Sequence, residues 1–113
     1  MHELSLAMEV IEMTQREAGK NGVSTILEIQ VEVGDLSGIE ADVFQSALEM
    51  VVKDTLLENS LVRIIRSPGK GKCSACNLEF EMKNLFDSCP QCGCLPSQII
   101  GGQEFRVLSL VAE

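Results

Sequence analysis

The chain has no Trp and no Tyr, and aromatic residues make up only 4% of its 113 residues. Its core must therefore be built from Leu, Ile, Val and Met. Cations are also scarce, with 9 Lys and Arg against 17 Asp and Glu, for a net charge of −8. Phosphate binding draws on Lys and Arg, so a nucleic-acid partner is disfavoured. No apolar run approaches the roughly 20 residues of a membrane span. The N-terminal stretch carries Glu3, Glu9 and Glu12 and no basic leader, so no signal peptide is expected. There is a single histidine, His2. A Ser-His-Asp or Cys-His arrangement would have to use it. No P-loop and no G-x-G-x-x-G is present, and the carboxylates fall mostly on wet helix and strand faces. No enzyme constellation shows itself, and 113 residues make one domain, or one small domain with a metal-held insert.

What the sequence does have is cysteine in a pattern. Cys73-Ser74-Ala75-Cys76 and Cys89-Pro90-Gln91-Cys92 are two C-x-x-C pairs, separated by the 12 residues from Asn77 to Ser88. A C-x-x-C turn points two thiolates at one ion, and two such turns complete a tetrahedron of sulfur around Zn²⁺. Asn77 and Gly93, which follow the pairs, are residue types that tolerate the left-handed conformation such a turn needs. Pro90 stiffens the second turn. Two disulfides are an alternative, as is iron in the same cage, since sulfur ligands select zinc and iron alike. Thiols without a secretory signal point to a reducing cytoplasm, where metal binding is favoured over disulfides. Cys94 is the odd thiol and reads as a bystander near the site.

Along the chain, Leu4, Ala7, Met8, Ile11 and Ala18 fall at helical spacing, widened by Val10 and Met13, and Gly19 with Asn21-Gly22 ends that helix. From Thr25 to Val33, apolar Leu27, Ile29, Val31 and Val33 alternate with Glu28, Gln30 and Glu32, as in a strand with one wet face. A second helix, Glu40 to Thr55, carries a stripe of Val43, Phe44, Ala47, Leu48, Val51 and Val52. Met8, Met13 and Met50 read as packing residues. Leu61 to Arg66 reads as a short strand, and Ser67-Pro68-Gly69-Lys70-Gly71-Lys72 as a linker by composition. In the metal module, Glu79 to Met82 suits a ribbon strand, and Phe80 and Phe86 supply most of a small core that should need its metal. A last strand, Glu104 to Val111, rejoins the first domain. The expectation is an α+β fold, two helices packed on one face of a three-stranded sheet, with an inserted zinc-ribbon module. The domain boundaries fall at 1–67 with 103–113, and 68–102.

His2 offers a second kind of metal chemistry. The amine of Met1, the amide nitrogen of residue 2 and its imidazole can close chelate rings on one ion, with Glu3 or water as a fourth donor. Flat, nitrogen-rich coordination suits Ni²⁺ or Cu²⁺ rather than Zn²⁺. The plain alternative is a solvated histidine near a terminus.

The start Met1-His2-Glu3-Leu4-Ser5-Leu6, the strand ending Val33-Gly34-Asp35-Leu36-Ser37, the C-x-x-C…C-P-x-C-G ribbon and Gly102-Gln103-Glu104-Phe105 together resemble the HypA/HybF family, the nickel metallochaperones of [NiFe]-hydrogenase maturation. The match covers nearly the whole chain. The resemblance implies a nickel-binding domain that takes Ni²⁺ on Met1, His2 and Glu3, and a zinc ribbon with Cys73, Cys76, Cys89 and Cys92 as ligands. It implies transferred nickel and structural zinc, a cytoplasmic protein, and a monomer or homodimer. The implied partners are a maturation GTPase and the hydrogenase large subunit, and some members also serve urease and its maturation proteins. Cys94, and Asn77 in place of a frequent Gly, depart from the family pattern without touching these ligands. Two other readings of the residues stand beside it: a zinc-ribbon adaptor that only binds proteins, and a rubredoxin-like electron carrier.

Overall fold

The computed structural model describes residues 3–112. In chain order the elements are α1 (Glu3–Lys20), β1 (Ile26–Gly34), α2 (Ala41–Val51), β2 (Leu61–Ser67), β3 (Gly69–Cys73), β4 (Glu79–Met82), β5 (Pro96–Gly101) and β6 (Phe105–Ala112). They form two three-stranded sheets, ordered β2-β1-β6 and β4-β3-β5. The chain divides into two compact units. One runs up to Glu32, takes in Glu40–Ile65 and resumes at Arg106; the other comprises Val33–Ile39 and Arg66–Phe105.

In the first unit, α1 and α2 pack on one face of the sheet, with β1 as the central strand. Ile29 and Val31 of β1, Phe44 and Leu48 of α2, and Ala7 and Val10 of α1 are almost completely buried. Each large apolar side chain removed from water in this way contributes about 1.5–3 kcal/mol before chain entropy is set against it. The buried stripe of α1 is Leu6, Ala7, Val10, Ile11, Thr14 and Ala18. Leu4 and Met8, expected on that stripe, are exposed, as are Met50 and Val43 on α2. The face is rotated because Thr14 can be buried: its hydroxyl donates to the Val10 carbonyl at 2.8 Å, leaving no unpaired polar group inside. Gly22, at φ +66°, follows the end of α1, and the amide of Val23 returns to the Ala18 carbonyl.

The alternation of β1 holds from Ile29 onward but not before it. Ile26 is buried and Leu27 exposed. The Ile26 amide donates to the Leu56 carbonyl, and its own carbonyl accepts the Ser60 hydroxyl, which fixes that end of the strand. On the wet side, Glu28 pairs with Arg63 of β2 and Glu32 with Arg106 of β6. In β6 the burial does not alternate strictly: Leu110 is half-buried, and both Ser109 and Val111 are exposed.

The second unit overturns one reading of composition. Most of the expected Ser67–Lys72 linker lies in β3 (Gly69–Cys73), the central strand of the ribbon sheet. Its antiparallel register against β4 sets Gly69 opposite Met82 and Gly71 opposite Phe80. Glycine is needed there because a Cβ on Gly69 would come within 3.0 Å of the Leu36 side chain and the Met82 carbonyl, and one on Gly71 would meet the Met82 sulfur. The unit's core is Leu36, Cys73, Phe80, Met82 and Cys89. Phe86, expected in that core, is 84% exposed, and Met82 at 1% fills the interior instead. Three passages of chain meet backbone to backbone at Gly34, Gly69 and Gly102, where any Cβ would collide. The Gly34 amide donates to the Glu104 carbonyl at 2.7 Å, and the Leu36 amide to the Gly102 carbonyl at 2.6 Å, locking the crossing.

Candidate metal centre

The sulfur atoms of Cys73, Cys76, Cys89 and Cys92 all lie within 4.8 Å of one another. Cys73 and Cys92 are 3.3 Å apart and Cys76 and Cys89 3.7 Å apart. These distances are far beyond an S–S bond of about 2.05 Å, so the cysteines are not arranged as disulfides. Zn–S bonds of about 2.3 Å in a tetrahedron would space sulfurs about 3.8 Å apart, close to what is seen. The donor set and its size fit a single soft or borderline cation.

Two backbone knuckles build this cage, and they share one hydrogen-bond pattern. In the first, the Asn77 amide donates to the Cys73 carbonyl at 2.9 Å and the Cys73 amide to the Leu78 carbonyl at 2.9 Å. In the second, the Gly93 amide donates to the Cys89 carbonyl at 2.9 Å and the Cys89 amide to the Cys94 carbonyl at 2.8 Å. Asn77 and Gly93 take the left-handed conformation the turn requires, at φ 59° and 77°. Cys94 thus has a structural part that sequence reasoning missed: its carbonyl does for the second turn what Leu78 does for the first. The signal was present in the spacing, since 73 to 78 and 89 to 94 are both steps of five residues.

The thiols are electrostatically unequal. The Cys76 amide, the Cys92 thiol and the Ala75 amide all donate to the Cys73 sulfur and, against burial, hold it down to about 7 from an ordinary 9.0. Cys92 receives the Cys94 amide, but its own proton is given to Cys73, and together with burial this pushes it up to about 12. Burial opposes ionisation of Cys89, but the amides of Cys92 and Gln91 and the thiol of Cys76 outweigh it, so its value is lowered. The Leu78 amide favours ionised Cys76, yet burial and its bonds to Cys89 and Cys73 raise it. Amide donors are thus already aimed at sulfur that carries negative charge, as a metal thiolate does.

Of the other predicted site residues, Met1 and His2 lie outside the described residues. Glu3 is the first residue of α1. Its carboxylate accepts the Glu40 amide at 3.1 Å, at the start of α2, which has no side-chain cap of its own. Among the described residues, the four cysteines are the group brought together with metal-binding geometry.

The family model described as "Hydrogenase/urease nickel incorporation, metallochaperone, hypA" matches residues 1–112. The chain belongs to the HypA family. A hydrogenase maturation factor HypA from Geobacter metallireducens is 39% identical over 113 residues, covering 100% of both chains. One from Parabacteroides distasonis is 41% identical over 113 residues, covering 98% of this chain and 96% of that one. The solution structure of the Ni metallochaperone HypA from Helicobacter pylori matches with a TM-score of 0.68 at 27% identity, covering 99% of this chain and 97% of that one. HypA proteins are nickel metallochaperones of hydrogenase and urease nickel incorporation, which agrees with the resemblance read from the sequence. No helix among the described residues is long and apolar enough to cross a membrane.

Proposed function

We propose that this protein is a cytoplasmic nickel carrier, not a catalyst. It takes Ni²⁺ as cargo on the Met1 amine, the His2 amide nitrogen and imidazole, and Glu3, and delivers it during [NiFe]-hydrogenase maturation. A resident Zn²⁺ sits on Cys73, Cys76, Cys89 and Cys92. Its partners are the GTPase of the nickel-insertion pathway and the hydrogenase large subunit, with urease maturation as a second outlet.

The observation that carries the reading is the position of the sulfur cage. Cys73 and Cys89 are themselves part of the ribbon's core, so a metal bound there is built into the fold. A closed four-sulfur site holds a structural ion and leaves no open position for exchange. The metal that is handed on must therefore use other donors, and the only histidine is His2, far away in sequence. Family membership supports the identity of the cargo. Bound zinc would tie β3 to the two knuckles, and the cysteines alone would hold it.

The test is metal analysis and nickel titration of the untagged chain. One zinc and one more weakly held nickel per chain are expected, and His2→Ala should abolish nickel binding while leaving zinc and fold unchanged. Extending the chain ahead of Met1 should alter nickel coordination by removing the free amine. Nickel affinity that survives both changes would show the donor set to be wrong. Zinc alone, with no response to nickel, would favour the protein-binding adaptor, and a coloured iron protein the electron carrier.

A further inference from the structure

The ribbon carries five free thiols, and four of them make the cage. The fifth, Cys94, is exposed, and so is the cage thiol Cys92. These two flank a single glycine, in Cys92-Gly93-Cys94. The backbone already bends them toward each other, with Gly93 at φ +77°. The Gly93 amide donates to the Cys89 carbonyl and the Cys89 amide to the Cys94 carbonyl, so the bend is tied at both ends to a buried residue. The Cys92 sulfur lies against Cys94: it accepts that residue's amide, and the two thiols interact. Disulfides join Cα atoms about 4.4–6.8 Å apart, a span that residues two apart on a bend can meet. Beyond its two neighbours, nothing lies within 4 Å of where a Gly93 Cβ would stand, so a ring can close across the bend without a clash.

We propose that Cys92 and Cys94 form an oxidative modification site, an exchange pair for small-molecule disulfides whose closure takes one ligand away from the metal cage. The loss of a ligand rests on the zinc reading given above; the thiol pair does not. With a cation on the four cage sulfurs, Cys94 is the thiol left unengaged, so it reacts first. Its thiolate attacks one sulfur of a disulfide such as oxidised glutathione, forms a mixed disulfide and expels one glutathione thiolate. The Cys92 sulfur then attacks the Cys94 sulfur, forms the Cys92–Cys94 bond and expels the second glutathione. The chain loses two electrons and one glutathione disulfide becomes two thiols. Their protons come from Cys94 and from Cys92 or, where Cys92 is metal-bound, from solvent. Cys73 is only 3.3 Å from Cys92, but it is buried, out of reach of a molecule of this size. Sulfur in a disulfide is no longer a thiolate, and a cation left on three sulfurs is held less firmly. A reducing thiol reverses both steps.

The experiment treats the full untagged chain, as isolated with its metal, and its Cys94→Ser variant with oxidised glutathione. Zinc release is followed with a coloured chelator, and the disulfide is located by tryptic mass spectrometry. Cleavage after Lys72, Lys83 and Arg106 puts Cys89, Cys92 and Cys94 on one peptide and Cys73 with Cys76 on another. In the parent chain the 84–106 peptide should become lighter by two hydrogen atoms, with fragment ions placing the link between Cys92 and Cys94. Zinc should leave at least about tenfold faster than from Cys94→Ser, and dithiothreitol should restore zinc uptake. Cys94→Ser should fold and bind zinc like the parent, because the carbonyl that closes the second knuckle belongs to the backbone. Equal zinc release from the two chains overturns the proposal. So does a link that joins Cys92 to Cys73 or Cys89. A chain isolated without zinc would defeat the zinc reading alone, and the position of the link would then decide the thiol pair by itself.

Discussion

Replacing Gly34 by Ala tests the backbone crossing of the ribbon unit. The new methyl would lie within 3.0 Å of the Gly102 carbonyl carbon and oxygen and of the Gln103 nitrogen. All three are main-chain atoms, so no side chain can rotate away, and one of the two strands of backbone must move. Overpacking of this kind costs about 1–3 kcal/mol. The same movement would stretch the bonds Gly34 N–H to Glu104 O and Leu36 N–H to Gly102 O, at 2.7 and 2.6 Å. Each contributes a further ~1 kcal/mol. The expected loss is about 3–5 kcal/mol, a large share of a total stability of roughly 5–15 kcal/mol. Gly101→Ala is the control. There the nearest atom to a new Cβ is the Lys70 Cβ at 3.6 Å, an ordinary contact, and the change should stay within about 1 kcal/mol of zero. The chain has no Trp or Tyr, so the assay is amide hydrogen exchange at Leu36 and Lys70 together with zinc release under urea. A Gly34→Ala protein within about 1 kcal/mol of the parent, or a Gly101→Ala protein equally damaged, would refute the steric argument.

Two other expectations concern charge. Zinc uptake displaces protons from thiols. Cys73 titrates at about 7 in the folded cage and not at its ordinary 9.0, so the number of protons released should fall by about one as pH rises through 7, because Cys73 then arrives already ionised. Its lowered value makes the ionised form a source of stability for the metal-free ribbon, present in full above 9 and lost as pH falls through 7. Calorimetry in buffers of different ionisation enthalpy measures this, and a fall centred on 9 would show that the amide pocket forms only with the metal. Glu3→Ala should cost about 1 kcal/mol by freeing the Glu40 amide, whereas Glu3→Gln, which keeps an acceptor, should cost much less. Thermal melts that do not separate the two variants would remove Glu3 as the cap of α2.

The parts legible in the sequence were those set by periodicity or by paired spacing. Ile29, Val31 and Val33 alternate in the sequence and are buried in the strand, and the cysteines come together as their spacing requires. The parts that were not legible depend on contacts between distant residues. Ser67-Pro68-Gly69-Lys70-Gly71-Lys72 reads as linker because glycine usually marks flexibility. Here it marks close approach to Leu36 and Met82, which lie on either side of it in the chain. Phe86 reads as core because it is aromatic, yet it sits in the 83–87 turn. That turn is shaped by the Asp87 carboxylate, which accepts the amides of Lys83 and Asn84. Thr14, absent from the apolar pattern read in the sequence, is buried because its hydroxyl bonds to Val10. Glu3 was singled out for metal chemistry, and nothing local foretold its bond to Glu40, 37 residues away.

The two knuckles match in their hydrogen bonds but differ in depth. Cys73 and Cys89 are buried, Cys76 is half-buried and Cys92 is exposed. A chelator or an oxidant arriving from solvent meets one sulfur first. Were a metal held on these four atoms, Cys92, on the Pro90–Gly93 turn, would be the ligand most open to release. The lifetime of such an ion would depend most on that one arm, with Cys73 and Cys89 held in the core and Cys76 half-buried against it.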